Sequence, residues 1–447
     1  MMRRSTHVAA ILVGIGLVWA GLAMQTPQAQ APAGGAGGGS VAFTNARVID
    51  GTGAAAVEGA TIVVSDGKIQ AVGRNVTIPA GATRIDMSGK TIMPGIVNAH
   101  GHLQADMSKR PARDRLAAQL RMYADYGITT VQVLGLPLDD VPDGIKLRDE
   151  SRPGGAAVDR ARVLIAAASL RNLKTEQEAR DWANKYADMK VDIIKMHITG
   201  SPMDMTPAVY GALIDQAHKR GIRTAAHLFY LRDAKGLLEK GIDVIAHSIR
   251  DQPVDQATIA AIKARDVEYI PTLTRDIATF VYEGTPPYFT DPFFARRIPG
   301  SYYRDEMAKL KDPANQEKIK KDQAAQSIKP ALAQGRKNLK TLSDAGVTIA
   351  LGTDTGTNEG QWQGYFEHIE LEEMVKSGMT PMQVLVAATS GAAKAANIQQ
   401  QIGTIAAGKQ ADLLVLNANP LTDIKNTRQI HSVWIAGRRL AGVTATN

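Results

Sequence analysis

Side chains that could bind a metal ion recur in this sequence directly after short apolar runs. His100 and His102 form a His-x-His pair, and Asp354 ends the triplet Gly-Thr-Asp. Imidazole nitrogens and carboxylate oxygens are ligands that suit zinc or another divalent transition ion. Coordination of such an ion is therefore the first chemistry that the residue types predict.

Four further side chains of this kind follow other apolar runs. Lys195 and His197 end the fourth run, His227 ends the fifth and His247 the sixth. Alternate residues of a strand share a face, so Lys195 and His197 can point to the same side. A single histidine at a strand end is usually a structural polar residue, but the joint placement of these side chains favours a shared site.

The elements that must position these side chains alternate between short apolar runs and longer helical patterns. Eight such units are typical of βα repeats and predict an α/β fold, a (β/α)8 TIM-type barrel over residues 92–398. Catalytic groups of such barrels lie at the carboxyl ends of the strands. The predicted strands span residues 92–99, 128–134, 162–168, 191–196, 222–226, 243–246, 268–273 and 347–351.

Patterns rich in β-branched residues flank the predicted barrel at both ends of the chain. Residues 41–91 contain short runs separated by glycine turns, and residues 399–447 return to the same pattern. We expect the two portions to join in one small β-sandwich domain. A long segment, residues 275–345, separates the last two predicted strands, and it either shapes a site or packs locally as a surface insertion.

The N-terminus has the pattern of an export signal. A pair of arginines precedes an apolar run, residues 8–23, which is short for a membrane span. We interpret residues 1–31 as a signal peptide and residues 32–40 as a flexible leader; cleavage nearer Ala23 and an uncleaved anchor helix are the alternatives. The signal predicts a periplasmic or secreted protein with no membrane association beyond export.

Composition excludes several classes of site. The 447-residue chain has a formal net charge of +8 and no cysteine, which rules out disulfides, thiolate metal sites, iron–sulfur clusters and a cysteine nucleophile. It lacks the G-x-S-x-G elbow of serine hydrolases. Its basic segment, residues 309–340, is interrupted by acidic residues and predicts a solvated helical face, so we expect no nucleic-acid partner. Homo-oligomer formation stays open.

Six ordered stretches resemble the amidohydrolase superfamily, and within it the imidazolonepropionase-like and prolidase-like groups. The stretch Met-Pro-Gly-Ile-Val-Asn-Ala-His-Gly-His, residues 93–102, is similar to the superfamily's Pro-Gly-hydrophobic-Asp-x-His-x-His signature. The resemblance covers the chain from residue 41 to its C-terminus. The other stretches, which resemble the motifs of strands 4, 5, 6 and 8 and the return into the β domain, are residues 192–195, 226–227, 246–247, 351–356 and 403–412.

The resemblance implies a site with two divalent ions, zinc above all. It implies that Lys195 is carboxylated by CO2 and bridges both ions, because a free ammonium has only donors and cannot ligate a cation. A structural ion pair between Lys195 and Asp354 beside a single ion is the alternative. The implied ligands are His100, His102 and Asp354 for the first ion, and His227 and His247 for the second.

The resemblance also implies hydrolysis of a carbon–nitrogen bond, in an amide, cyclic amide or peptide-like small-molecule substrate. Metal-activated hydroxide would attack the carbonyl, with Asp354 as the catalytic general acid and base. The alternatives are a deaminase or dipeptidase of the same superfamily and a non-catalytic secreted barrel that binds a ligand. The residues after His227 lack the glutamate that such deaminases use, and the complete ligand set argues against a purely binding protein.

Some positions depart from the superfamily's pattern. Asn98 stands where aspartate is usual, and the Gly-Gly-His that follows strand 3 in prolidase-like members is missing. We therefore expect His197 to polarise the substrate carbonyl as a second catalytic residue, with a packing role as the alternative. Tyr230, three residues after His227, is a candidate substrate contact or wall residue. His368, in a stretch similar to the helix after strand 8, is another candidate for substrate binding.

Overall fold

The computed structural model describes residues 39–104, 109–152, 159–295, 300–357 and 359–443. The predicted signal peptide and residues 32–38 of the predicted leader lie outside these ranges. Within the ranges, none of the helices combines the length and the apolar character that crossing a bilayer requires.

Short strands and helices alternate through the middle of the chain. The described strands are β1 (Val41–Val48), β2 (Val57–Ser65), β3 (Lys68–Gly73), β4 (Thr83–Asp86), β5 (Thr91–Pro94), β6 (Ile96–Gly101), β7 (Ile128–Leu134), β8 (Arg162–Ala166), β9 (Ile193–His197), β10 (Arg223–His227), β11 (Val244–Ala246), β12 (Glu268–Ile270), β13 (Leu413–Leu416), β14 (Ile430–Ile435) and β15 (Arg438–Arg439). The described α-helices are α1 (Ala112–Asp125), α2 (Val141–Glu150), α3 (Glu176–Asp188), α4 (Pro207–Lys219), α5 (Leu231–Lys240), α6 (Gln256–Ala264), α7 (Leu273–Ala278), α8 (Pro292–Ala295), α9 (Gly300–Lys311), α10 (Pro313–Lys321), α11 (Gln323–Asp344), α12 (Tyr365–Lys376), α13 (Pro381–Val386) and α14 (Ala392–Ala395).

Strands from both ends of the chain form one eight-stranded sheet, in the order β15-β14-β13-β5-β1-β2-β3, with β4 beside β1. The C-terminal β13 pairs antiparallel with β5, so that Leu413 lies opposite Pro94. Phe43 and Trp434 pack edge to face in the hydrophobic core of this sheet, with ring centroids 4.8 Å apart. The two chain ends therefore join as expected. The predicted sandwich is not confirmed, because the described strands of this region hydrogen-bond into a single sheet.

The strands that carry the candidate site form two parallel sheets, β6-β7-β8 and β9-β10-β11-β12. Residues 347–351, the predicted eighth strand, form only an isolated bridge between Ile349 and Tyr269. The carbonyl oxygen of Leu351 also accepts a hydrogen bond of 2.8 Å from the amide of Ala99 in β6. The α/β fold is thus present, but the regular strands that the structure describes do not by themselves close a barrel.

A buried ion pair connects β8 to the start of β13. Arg162 Nε and Nη2 donate to Asp412 Oδ2 and Oδ1, at 2.7 and 3.1 Å. The Asp412 carboxylate also accepts a hydrogen bond of 2.7 Å from the amide of Ala436. Bidentate arginine–carboxylate pairs fix geometry as well as contributing energy. This one carboxylate therefore ties a parallel strand to the C-terminal strands.

The long segment between β12 and the predicted eighth strand folds into helices α7 to α11. Phe289 and Phe294 of this segment stack with ring centroids 5.6 Å apart, and Phe294 meets Trp362 edge-on at 5.2 Å. The hydroxyl of Tyr282 accepts a hydrogen bond of 2.8 Å from Trp362 Nε1. The segment therefore packs against residues that follow the predicted eighth strand, and it also supplies one cavity residue, Arg275.

Candidate active site

The His-x-His pair lies at the end of β6, and both imidazoles are buried. Asp354 reaches the pair from the distant C-terminal part of the chain. Its Oδ1 lies 3.1 Å from His100 Nε2 and 2.8 Å from His102 Nε2. Ligand atoms of the three residues all lie within 4.8 Å of one another. This spacing fits a single metal ion with nitrogen and oxygen ligands.

Backbone contacts hold Asp354 against β6. The amides of Thr353 and Asp354 both donate to the carbonyl oxygen of His100, at 3.1 and 2.7 Å. Gly352 permits this approach, because a Cβ there would lie 2.8 Å from His100 Cβ and 2.4 Å from Ile270 Cγ2. Asp354 itself has a left-handed φ of 60°. Strain of this kind is uncommon outside glycine and concentrates at functional sites.

The hydrogen bonds of His102 leave a place for a cation. His102 Nδ1 lies 3.2 Å from the carbonyl oxygen of Gly135; since that oxygen only accepts, Nδ1 carries the proton. In the neutral ring, Nε2 then presents a lone pair to Asp354 Oδ1, and two acceptors 2.8 Å apart repel each other unless a cation lies between them. His100 Nδ1 is also buried without a hydrogen-bond partner among the described residues. The donor set therefore fits a divalent metal ion.

Lys195 of β9 is buried beside the same group, with a relative exposure of 1%. Its Nζ lies 3.4 Å from His100 Nε2. Burial lowers the pKa of Lys195 to about 7, opposed by attraction to Asp354 and helped by repulsion from Arg275 and Arg171. The described ion-pair partners of Asp354 are histidines and Arg275 and do not include Lys195.

Three more histidines extend the cluster across β9, β10 and the end of β11. The rings of His197 and His227 stack with centroids 4.4 Å apart, and His227 meets His247 edge-on at 4.2 Å. His247 Nδ1 lies 2.7 Å from Thr272 Oγ1, a contact that leaves Nε2 for a ligand. Burial lowers the pKa of His227 and His247 well below the usual value. Neutral imidazole is the form that binds metal ions.

The charge of Asp354 is set by its neighbours. Burial alone would raise the pKa of Asp354, but its interactions with His100 and His102 hold it well below its usual value. Arg275 Nε lies 3.3 Å from the second oxygen, Oδ2, and Arg275 Nη1 donates to the buried Asp276 at 2.9 Å. Asp354 is therefore an ionised carboxylate whose two oxygens face different partners.

A cavity of about 650 Å3 lies at the carboxyl ends of the parallel strands, a volume typical of sites for small molecules. The structure brings the seven residues predicted as ligands or catalytic groups to its wall: His100, His102, Lys195, His197, His227, His247 and Asp354. Sequence reasoning missed Ser169, Arg171 and Arg275, which also line it. Each follows the end of a predicted strand by three residues or fewer, and that position was the signal that could have found them.

The departure at Asn98 has a structural reason. Asn98 Nδ2 donates to Glu367 Oε1 at 2.6 Å and to Thr353 Oγ1 at 3.0 Å, while its Oδ1 accepts from the amide of His100 at 2.9 Å. Aspartate could accept the last bond but could not donate to the buried Glu367. The amide therefore connects the His-x-His strand to α12 in a way that a carboxylate would not.

Two residues predicted to bind substrate are not brought to the described cavity wall. Both nitrogens of His368 are engaged elsewhere, Nδ1 at 2.9 Å from Thr427 Oγ1 and Nε2 at 2.8 Å from the carbonyl oxygen of Tyr126. Tyr230 precedes α5, and its ring packs against Phe229 and under the Arg232 guanidinium. Helix α12 buries His368 among structural partners, which corrects the prediction for His368, while substrate contact by Tyr230 stays a prediction.

Comparisons with known proteins agree with this geometry. The sequence profile described as the amidohydrolase family matches residues 91–440. An imidazolonepropionase of Salinispora tropica is 27% identical over 378 residues, which is 80% of this chain and 86% of that protein. A crystal structure from Bifidobacterium longum, described as that of a prolidase, superposes with a TM-score of 0.74 and 25% identity over 92% of this chain and 96% of that one. An Xaa-Pro dipeptidase with bound methionine gives a TM-score of 0.70 and 20% identity over 90% and 99%.

Proposed function

The chain belongs to the amidohydrolase family and is a hydrolase that acts on carbon–nitrogen bonds, and on this premise we propose that it cleaves an amide, cyclic amide or peptide-like bond of a small molecule. The observation that carries the proposal is the convergence of His100, His102 and Asp354, whose ligand atoms lie within 4.8 Å of one another. The cavity of about 650 Å3 around them supports a small molecule as substrate.

We propose that two divalent ions, zinc above all, bind at this site. A bound divalent ion would lower the pKa of water and polarise the scissile carbonyl. The neutral, buried imidazoles and the ionised Asp354 support this assignment. The proposed ligands are His100, His102 and Asp354 for one ion, His227 and His247 for the other, and Lys195 for both.

The proposal for Lys195 is that its amine is carboxylated by CO2. The neutral amine adds to CO2 and loses one proton, which leaves an anionic N-carboxylate with two acceptor oxygens. The pKa of Lys195, lowered to about 7 by burial, leaves much of the amine neutral at neutral pH and so supports this reaction. The alternative, an ion pair between Lys195 and Asp354, has no support among the described ion pairs of Asp354.

Asp354 is the proposed general acid and base. Its carboxylate is ionised, as a base must be, and it lines the cavity, where it can take a proton from water and deliver it to the leaving amine. Arg275 Nε, 3.3 Å from Oδ2, limits rotation of the carboxylate. Oδ1, which faces the two histidines, is thereby held in one orientation.

A dipeptidase is the second candidate, favoured by the two structural neighbours described as a prolidase and an Xaa-Pro dipeptidase. The missing Gly-Gly-His after the third predicted strand is the feature against it. Cleavage of Xaa-Pro dipeptides but not of other amides would select this candidate.

Closure of the barrel around the site is also a proposal. We propose that residues 347–351 close the two parallel sheets into a (β/α)8 barrel, supported by hydrogen bonds from this segment to both β12 and β6.

The basic and apolar N-terminal pattern supports an exported, periplasmic or secreted enzyme. A small-molecule substrate is the partner proposed; no nucleic-acid partner is.

Metal analysis of the protein without residues 1–31 tests the proposal together with a panel of amides, cyclic amides and Xaa-Pro dipeptides. We expect about two ions per chain and hydrolysis of at least one class. Lys195→Ala should lower both quantities, and a short carboxylate such as propionate should restore them in part, because it replaces the bridging oxygens. Lys337→Ala, exposed on α11, is the matched control.

Two outcomes would contradict parts of the proposal. One ion per chain, unchanged by Lys195→Ala, would remove the bridged site and leave a one-metal hydrolase. Metal loss in His100→Ala, with no hydrolysis of any panel member by the wild-type protein, would favour a ligand-binding protein.

A further inference from the structure

Residues on either side of Leu170 bracket the ring of His197. The segment after β8 is attached to β9 by two backbone hydrogen bonds, from Leu170 N to Lys195 O at 2.9 Å and from His197 N to Leu170 O at 3.0 Å. Ser169 Oγ lies 2.5 Å from His197 Nδ1, and Arg171 Nη2 lies 3.0 Å from His197 Nε2. Both ring nitrogens of His197 therefore have a partner of known chemistry.

The direction of these hydrogen bonds follows from the donors. A guanidinium has no acceptor, so Arg171 donates and His197 Nε2 must present its lone pair. The ring is then neutral, its proton is on Nδ1, and Nδ1–H donates to Ser169 Oγ. Because that oxygen already accepts from His197, the proton of the Ser169 hydroxyl is available to another acceptor. Ser169 lines the cavity and has no other hydrogen bond among those described.

We propose that Arg171, His197 and Ser169 form a hydrogen-bond relay that directs the Ser169 hydroxyl proton into the cavity, where it binds the carbonyl oxygen of the substrate. The relay rests on the proposed function and names the residue that takes the place of the missing Gly-Gly-His. His197 becomes a positioning residue in this assignment, and Ser169 becomes the group that touches substrate.

The same direction excludes a serine nucleophile. A Ser–His pair activates the hydroxyl only when the imidazole accepts its proton. Here His197 Nδ1 is the donor, because Arg171 occupies the Nε2 lone pair. The stacked His227 ring, 4.4 Å away and inclined by 19°, also fixes the plane of His197. The hydroxyl is thus a stationary donor of the kind that stabilises charge developing on a carbonyl oxygen.

Arg171 controls the direction of the relay. Without its guanidinium, His197 can carry its proton on Nε2, and Nδ1 becomes an acceptor. Ser169 would then donate to Nδ1 and turn its proton away from the cavity. Removing Arg171, which itself forms no other described hydrogen bond, should therefore act through the Ser169 hydroxyl.

Nitrogen-15 NMR of the metal-loaded, histidine-labelled protein tests the direction without any turnover. His197 should show a protonated Nδ1 and an unprotonated Nε2, and Arg171→Met should reverse the two; the His197 signals are assigned by their loss in His197→Gln. Arg180→Met, a surface substitution on α3, is the control and should leave the pattern unchanged. A protonated Nε2 in the wild-type protein would overturn the relay, whether or not a substrate is found.

Kinetics on the best substrate of the amide panel test the role of the hydroxyl. Ser169→Ala should lower kcat by about 10²-fold or more, the usual effect of removing one such donor, with unchanged metal content and a smaller change in KM. Ser169→Thr should recover most of the loss, and Ser327→Ala, exposed on α11, should lose nothing. Equal losses in Ser169→Ala and Ser169→Thr, or a kcat within about twofold of wild type in Ser169→Ala, would overturn the proposal.

Discussion

Two buried histidines, in two regions of the molecule, share their burial and their shifted pKa but differ in their hydrogen-bond partners. His100 at the end of β6 and His368 on α12 each have a relative exposure of 1%, and burial lowers the pKa of each to about 3. His368 has a partner for both nitrogens, Thr427 and Tyr126. His100 has a buried Nδ1 without a partner among the described residues and an Nε2 that faces Asp354 and Lys195.

The difference teaches that burial and a shifted pKa do not identify a functional histidine. Buried polar groups normally satisfy one another, as around His368. Around His100, the Nε2 atoms of two histidines converge on Asp354 Oδ1, an arrangement of acceptors that stays unfavourable until a cation binds. The convergence of ligand atoms from three residues therefore distinguishes the functional histidine, and the same substitution should have opposite consequences in the two regions.

The largest effect is expected for His100→Ala. Loss of this proposed ligand should lower bound metal and reduce kcat by about 10⁴-fold, equivalent to about 5.5 kcal/mol of activation free energy. The free energy of unfolding of the metal-free protein should fall by only about 1 kcal/mol, because the side chain makes few satisfied hydrogen bonds and borders an existing cavity. Metal content, kcat and urea unfolding measure the three quantities. Retention of metal and activity in His100→Ala would contradict the proposed difference between His100 and His368.

Arg162 and Asp412 form a buried pair whose charges satisfy each other. A substitution there should lower stability and leave kcat unchanged, the reverse of the effect expected at His100. Arg162→Met leaves the Asp412 carboxylate, which is 4% exposed, without its bidentate partner. Breaking a buried pair from one side costs about 4 kcal/mol of stability. Urea unfolding should show this loss, while kcat per folded molecule at low temperature stays near the wild-type value. The double substitution Arg162→Met with Asp412→Leu is the control, since it removes both charges and should recover part of the stability.

The ligand side chains were predictable because they obey a rule of position. His227, His247 and Asp354 all follow runs that the hydrophobic pattern marks as strands, and the carboxyl ends of parallel strands lie together. Arg275 obeys the same rule but was overlooked, since arginine is not a metal ligand.

His368 was misassigned because α12 is buried on most of its surface, with nine of its twelve residues buried. When most of a helix is buried, its sequence gives no single face to assign to a cavity.

Other features were out of reach because they depend on pairing between distant residues. The union of both chain ends in one sheet follows from alternating patterns, but its strand order, with β13 beside β5, rests on register that no local pattern fixes. The role of Asn98 likewise depends on Glu367, 269 positions away in sequence. The predicted eighth strand, residues 347–351, joins its neighbouring strands only through an isolated bridge to β12 and one backbone hydrogen bond to β6, and apolar runs do not reveal how regular a strand will be.

His368→Ala repeats the substitution made at His100 in the satisfied region. It removes hydrogen bonds to Thr427 and Tyr126 and leaves a void beside Phe293, whose ring centroid is 5.0 Å away. We expect about 3 kcal/mol of lost stability from the hydrogen bonds and the cavity together. Metal content and kcat per folded molecule should be unchanged. Metal loss with intact stability would mean that the two regions do not differ in the way their partners indicate.

The smallest effect is expected for a histidine that is neither buried nor part of the cluster. His218 Nε2 lies 2.8 Å from Asp243 Oδ2, and the hydrogen bond to Asp243 raises the pKa of His218 above its usual value. A raised pKa in the folded protein means that the stabilisation is complete below the unfolded pKa of about 6.5 and is lost as the pH rises through the folded pKa. The side chain of His218 is 41% exposed, so solvent screening limits the contribution to about 0.5 kcal/mol. His218→Gln should therefore lower the free energy of unfolding by this amount near pH 5.5 and by less near pH 9, as unfolding in urea at both pH values would measure. Asp243 keeps its hydrogen bonds from the Thr224 amide and hydroxyl in the variant, which confines the effect to the charge on the imidazole. The opposite result would be a loss of stability in His218→Gln that grows with pH. It would show that His218 acts as a neutral donor, as His368 of α12 does.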